Sequence, residues 1–263
     1  MPENRLLLRG VLEEPDADAP RLAYAAWCEA QDDVATQARG AYIRGCVDLA
    51  RRGGAVRHEE RVVSEMNLAR LESVHREAWA RPLDGRVDEV RFDRGFVEMI
   101  VLPCDRYVDA ADELRALAPI RHLALRDARE AIDALVRSPH LAGVRSLDLS
   151  GSQLRDGDIA ALASCPHLGS LRWLSLAYNE IGLDGAEALA RGGELAGLRY
   201  VCFTGNPVDP SEQYSPENDR IVDTWMPDDG VALESRIGAR VPWLHLAAET
   251  VQDAIPNRFR MAG

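Results

Sequence analysis

Three short apolar alternations stand in step along the middle of the chain: Leu147-Asp148-Leu149, Leu174-Ser175-Leu176 and Val201-Cys202-Phe203, each 27 residues after the last. A period of two predicts a short strand with one buried face. The flanks repeat in the same phase, as Leu141, Leu168 and Leu195, as Arg145, Arg172 and Arg199, and as Leu154, Ile181 and Val208. Three positions after the second strand apolar residue come Ser152, Asn179 and Asn206. The two asparagines are expected to turn inward, where their amides serve the backbone as it bends away from the strand. A looser unit lies 24 residues upstream at Ile120, Leu123 and Leu125, and a weaker one at Val87, Val90 and Phe92. Between the strands, residues 158–163 and 184–190 have helical composition and begin on Asp158 and Asp184, where an acidic group is favoured.

The first 80 residues follow a helical period instead. Leu6, Leu7, Val11 and Leu12 predict a short first helix. Pro15 and Pro20 break it and restart the chain, Pro20 being suited to a first helical turn. Leu22, Tyr24, Ala26 and Trp27 then mark a second helix, and Tyr42, Ile43, Cys46, Val47 and Leu49 a third. A fourth, long helix is expected over about 57–79, with Val62, Met66, Leu68 or Ala69, Leu71 and Trp79 on its apolar side. After Asn206 the repeat is lost, and Trp225, Leu233, Ile237, Val241, Trp243 and Leu244 are candidates to cover the open end of a repeat stack. The expected fold class is α/β: a short solenoid over 81–207, preceded by an all-α module over 1–80 and closed by an irregular cap over 208–263.

The repeated segment, with its Leu-x-x-Leu-x-Leu-x-x-Asn spacing, resembles leucine-rich repeats of the longer, ribonuclease-inhibitor-like kind. The stretch from Leu12 through Pro15, Pro20, Arg21-Leu22-Ala23-Tyr24 and Trp27, followed by Gly40-Ala41-Tyr42-Ile43-Arg44, resembles the repeat-companion domain, a bacterial module found ahead of such repeats. Ala26 stands where that family commonly has Asp, Cys28 where it has Leu, and the stretch between the two motifs is longer than usual. Arg94-Gly95-Phe96-Val97, Trp225-Met226-Pro227 and Pro242-Trp243-Leu244-His245 resemble later segments of the same proteins. The resemblance implies an architecture and supplies no catalytic residues.

Composition narrows the classes of function. With 46% hydrophobic and 28% charged residues the chain is ordinary globular material. All 31 basic residues are arginine, and the net charge of −12 argues against broad nucleic-acid binding and against an anionic membrane surface. No apolar run reaches the roughly 20 residues of a membrane span. Leu6 to Leu8 is too short for a signal-peptide core. Five cysteines without a Cys-x-x-Cys fit a reducing cytoplasm. His140 and His167 occupy one repeat position, Cys28 and Cys165 read as packed hydrophobes, and Asp156 with Asp158 read as turn and cap residues. No phosphate loop, nucleophile elbow or zinc spacing occurs. No metal, cofactor or catalytic residue is therefore expected.

The candidate site is the strand face opposite the leucines. It offers His122 and Arg126 from the first strand, Asp148 from the second, Trp173 and Ser175 from the third, and Tyr200 with Thr204 from the fourth, with Tyr178 at the rim. Trp173 and Tyr200 stand one repeat apart, and aromatic pairs of this kind are enriched where proteins bind proteins. The plain alternative is that Trp173 simply packs on Tyr200 and the terminal cap. The expected function is non-enzymatic binding of a protein partner, a basic one given the charge, with a neutralising, immunity-type role as its specific form. The competing expectation is a structural or assembly scaffold binding through the helical module, with Arg51, Arg52 and Arg57 as its exposed charges.

Overall fold

The computed structural model describes residues 5–52, 57–208, 214–215, 220–221 and 236–237. Among them lie eight α-helices and eight strands, in two compact units. The first comprises the chain up to residue 100 together with 112–120, and the second 101–111 and everything from 121 onward.

The first unit holds helices α1 (Arg5–Glu13), α2 (Asp18–Glu29), α3 (Val34–Arg52) and α4 (His58–Ala80), strand β1 (Glu89–Asp93) and the start of β2 (Phe96–Pro103). Asp33 starts α3 by accepting from the Thr36 backbone N–H at 2.8 Å and its hydroxyl at 2.7 Å. Leu8, Val11, Tyr24, Ala25, Cys28, Ile43, Val47 and Phe96 form one buried cluster. Phe96 meets Tyr24 edge-on at 5.1 Å. Gly95 precedes it with φ 90°, and a Cβ there would collide with Ile43. The helical motifs and the Arg-Gly-Phe-Val segment therefore share one core, and this unit runs past the helices because Phe96 is part of what they enclose.

A buried charge accompanies that core. Arg21 has no exposed surface; it donates to Glu98 Oε1 at 2.5 Å, to the Pro15 carbonyl at 2.7 Å and to the Arg94 carbonyl at 3.1 Å. Helix α4 departs from expectation. Of its apolar residues only Trp79 is buried, stacked on Tyr42 at 5.1 Å with its indole N–H on the Ala35 carbonyl at 2.7 Å. Val62, Val63, Met66 and Val74 are exposed. Helical spacing says which residues share a side; it does not supply an element to cover that side.

The second unit includes the first turns of α5 (Cys104–Leu117) and then alternates strand and helix: β3 (His122–Arg126), α6 (Ile132–Arg137), β4 (Ser146–Asp148), α7 (Asp156–Ala163), β5 (Trp173–Ser175), α8 (Leu183–Arg191) and β6 (Tyr200–Cys202). The four strands pair in parallel, with Leu123, Leu147, Leu174 and Val201 in one register row, all buried. Helix α7 packs on both α6 and α8.

Asn179 and Asn206 behave as the repeat requires. Asn179 Oδ1 accepts from Ser152 N and Leu154 N, both at 3.0 Å, and its Nδ2 donates to the carbonyls of Leu149, Leu176 and Ala177. Asn206 accepts from Ile181 N at 3.0 Å and donates to Leu176 and Phe203. One left-handed position recurs in each turn, at Asp127 (φ 53°), Gly151 (65°), Tyr178 (55°) and Gly205 (73°), and the turn after β4 adds a second at Gln153 (58°). Asp156 and Asp158 lie in the first turn of α7, where Asp158 takes part in its N-terminal cap. Asp158 accepts the Arg155 N–H at 2.8 Å, and Asp156 accepts the Gly182 N–H at 2.7 Å. Beyond the repeats, β7 (Tyr214–Ser215) and β8 (Arg220–Ile221) pair antiparallel. The expected covering residues Trp225, Leu233, Val241, Trp243 and Leu244 lie outside the described residues.

Candidate functional site

The strand register arranges the candidate residues in rows. His122, Ser146, Trp173 and Tyr200 pair successively across β3 to β6, and Ala124, Asp148, Ser175 and Cys202 form the next row. Parallel strands lie roughly 4.8 Å apart, so the members of each row are near neighbours. Arg126 ends β3 and is exposed. Thr204 and Tyr178 lie in the turns beyond the strands. The two turns are tied together where the Tyr178 N–H donates to the Thr204 carbonyl at 2.7 Å.

The first row ends in the two aromatics. Trp173 and Tyr200 are partly exposed and stack nearly parallel, 10° apart with centroids at 6.1 Å. Trp173 Nε1 is buried and has no hydrogen-bond partner. At the other end His122 Nδ1 meets Ser146 Oγ at 2.6 Å. Tyr178 is 55% exposed. Its ring lies over Gly205, whose added Cβ would come within 2.6 Å of it.

The second row is polar and buried. Asp148 and Ser175 are each less than a tenth exposed. Asp148 Oδ1 accepts from the Ser150 N–H at 2.9 Å and the Ser150 hydroxyl at 2.6 Å, and Ser150 Oγ meets Ser175 Oγ at 2.8 Å. A hydroxyl has one proton. Ser150 gives its own to Asp148, so Ser175 is the donor to Ser150. The chain Ser175–Ser150–Asp148 thus ties the side chains of β4 and β5 together along this row. Ser150, which strand alternation also puts on this face, is the link, and its two-residue step from Asp148 favours a side-chain bond of this kind.

The remaining chemistry is quiet. Cys165 is buried, donates to the Val136 carbonyl at 3.0 Å and has its thiol pushed up by burial. Burial likewise pushes Cys104 up to about 12. Neither is a ready thiolate. No group of three metal-ligating side chains occurs among the described residues. Among them, too, no helix is long and apolar enough to cross a membrane. In the first unit Arg51 pairs with Asp18 at 2.6 Å and Arg57 with Glu60 at 2.8 Å, while Arg52 pairs with both Asp48 and Glu60.

A leucine-rich repeat family model matches residues 167–190, which run from His167 through β5 and Asn179 into α8. The chain thus carries a leucine-rich repeat, a unit that generally serves protein–protein interaction. Comparison with curated proteins gave no match, and comparison with solved structures gave none either.

Proposed function

We propose that the chain is a non-enzymatic, cytoplasmic protein-interaction module. In this reading the repeats of 81–207 form a short solenoid, the helical residues 1–80 are its companion domain, and 208–263 close its end. The partner lies across the concave strand face, against Trp173, Tyr200 and Tyr178, with His122, Arg126, Asp148, Ser175 and Thr204 beside them. The observation that carries this is the stacked, partly exposed Trp173–Tyr200 pair in one register row with a buried carboxylate in the next. Such rigid aromatics shed water over a large area at little entropic cost. With a net charge of −12 a basic protein is the favoured partner, and an immunity-type neutraliser is the specific form of that reading.

The test is affinity capture from the host lysate with the wild type beside a Trp173→Ala/Tyr200→Ala variant, urea unfolding verifying that the variant folds. One stoichiometric partner held by the wild type and lost by the folded variant supports the strand face. Equal retention rejects it. A second reading has an observation of its own: Val62, Val63, Met66 and Val74 leave apolar surface exposed on α4. If the helical module is the scaffold's binding part, Met66→Glu releases a partner that the aromatic double variant keeps.

A further inference from the structure

The turn after β4 breaks the pattern of the two that follow it. After β5 and β6 an asparagine fills the turn and serves backbone groups on both sides. At the same position after β4 stands Ser152, whose side chain is too short to make that bridge. Ser152 is 3% exposed, and its Oγ has no hydrogen-bond partner. It lines an open cavity of about 850 Å³ that lies wholly within the second unit.

The wall of that cavity is acidic. Asp105 and Asp109 come from the first turns of α5, Asp127 from the left-handed position after β3, and Glu130 from the short helical turn beside it. Arg106 and Arg129 stand in the same wall, and Arg129 is committed to the Gln153 carbonyl at 3.2 Å. Four carboxylates against two guanidiniums leave the cavity negative. The carboxylates are spread along three segments and do not gather as metal ligands. Such a wall suits a cation that carries its own hydrogen-bond donors on a stem long enough to reach an inner acceptor.

We propose that this cavity takes an aliphatic cation, an ammonium or guanidinium on an alkyl chain, whose N–H donates to Ser152 Oγ while Asp127, Glu130 and Asp109 offset its charge. The site is separate from the aromatic row and does not depend on it. A lysine or arginine side chain carries this group, and so does a free polyamine.

The experiment is isothermal titration of the full chain at low salt with acetyl-Gly-Lys-Gly-amide, acetyl-Gly-Arg-Gly-amide and putrescine, and with acetyl-Gly-norleucine-Gly-amide as the uncharged control. A cation is expected to bind one to one and the norleucine peptide not at all. Ser152→Asn restores the repeat's asparagine and fills the inner wall. It is expected to raise the Tm yet weaken the cation by about tenfold, the loss typical of a hydrogen bond to a charged group. Asp127→Asn, which keeps a residue at ease in the left-handed region, weakens it through charge alone. Binding by the peptides and not by putrescine assigns the site to a polypeptide side chain, and the reverse assigns it to a free polyamine. Absence of binding at millimolar cation, equal binding of the norleucine peptide, or unchanged affinity in both folded variants overturns the proposal.

Discussion

At the scale of single residues, the repeat is held by side chains that replace water inside a bend. Asn179 uses its whole amide, accepting two backbone N–H groups and donating to three carbonyls. Asn179→Ala strands those groups in a buried turn and should cost about 3 kcal/mol, read as a lower urea midpoint. Tyr178 works in the opposite sense. The equivalent turn positions are Asp127, Gly151 and Gly205, residues that take a positive φ readily, whereas a bulky L residue there is strained by about 1–2 kcal/mol. Its ring is more than half exposed, so burial returns little. Tyr178→Gly is therefore expected to stabilise the fold by about 1 kcal/mol in urea unfolding while removing an aromatic from the rim. The spacing of the repeat points to a turn at 178, but a tyrosine gives no hint of a left-handed backbone; only the glycines at 151 and 205 did.

At the scale of elements, the joint between α2 and β2 is the most charged part of the first core. Burial outweighs the nearby Arg21 and pushes Glu98 from an ordinary 4.5 up to about 7. A carboxyl with a raised native value keeps its proton where the unfolded chain has lost it. Between about pH 4.5 and 7 the native state thus holds the extra proton, and stability falls as the pH rises through that window, by no more than about 3 kcal/mol. Urea unfolding at pH 5 and pH 7.5 should show the fall, and Glu98→Gln, which titrates nothing there, should flatten it. The sequence marks these elements well, since α2, α3 and α4 lie where apolar spacing puts them, while Arg21 and Glu98 stand 77 residues apart and nothing local pairs them. Helix α4 shows the same limit from the other side. Its 23 residues are legible as a helix, yet Trp79 is buried and Met66 is not, because burial depends on which neighbour arrives.

At the scale of the whole molecule, the repeats were the most legible part, since one unit's leucines, asparagine and helix are restated 27 residues on and each copy checks the last. The proposed strand face is laid out by the same arithmetic. Its aromatic pair was visible in advance, and its buried polar chain was not, because alternation predicts a face but not how much of it neighbouring rows cover. The first unit was less legible in its extent. Helical period ends near residue 80, but the core it encloses takes Phe96 and Glu98 from β2. A fragment of residues 1–88 keeps helices α1 to α4 and loses both, together with the end of α5 that belongs to the unit. It leaves the Arg21 guanidinium without its carboxylate, about 3–5 kcal/mol for a buried pair broken on one side. It also leaves the place of a buried phenylalanine empty, about 3–5 kcal/mol more. Together these approach the whole stability of an ordinary domain, about 5–15 kcal/mol. A fragment of residues 1–120 holds all of the unit and should unfold in one cooperative step by circular dichroism, whereas 1–88 should keep helical signal without a cooperative transition. A sharp transition in the shorter fragment would show that the four helices close a core of their own and that Phe96 only rests upon it.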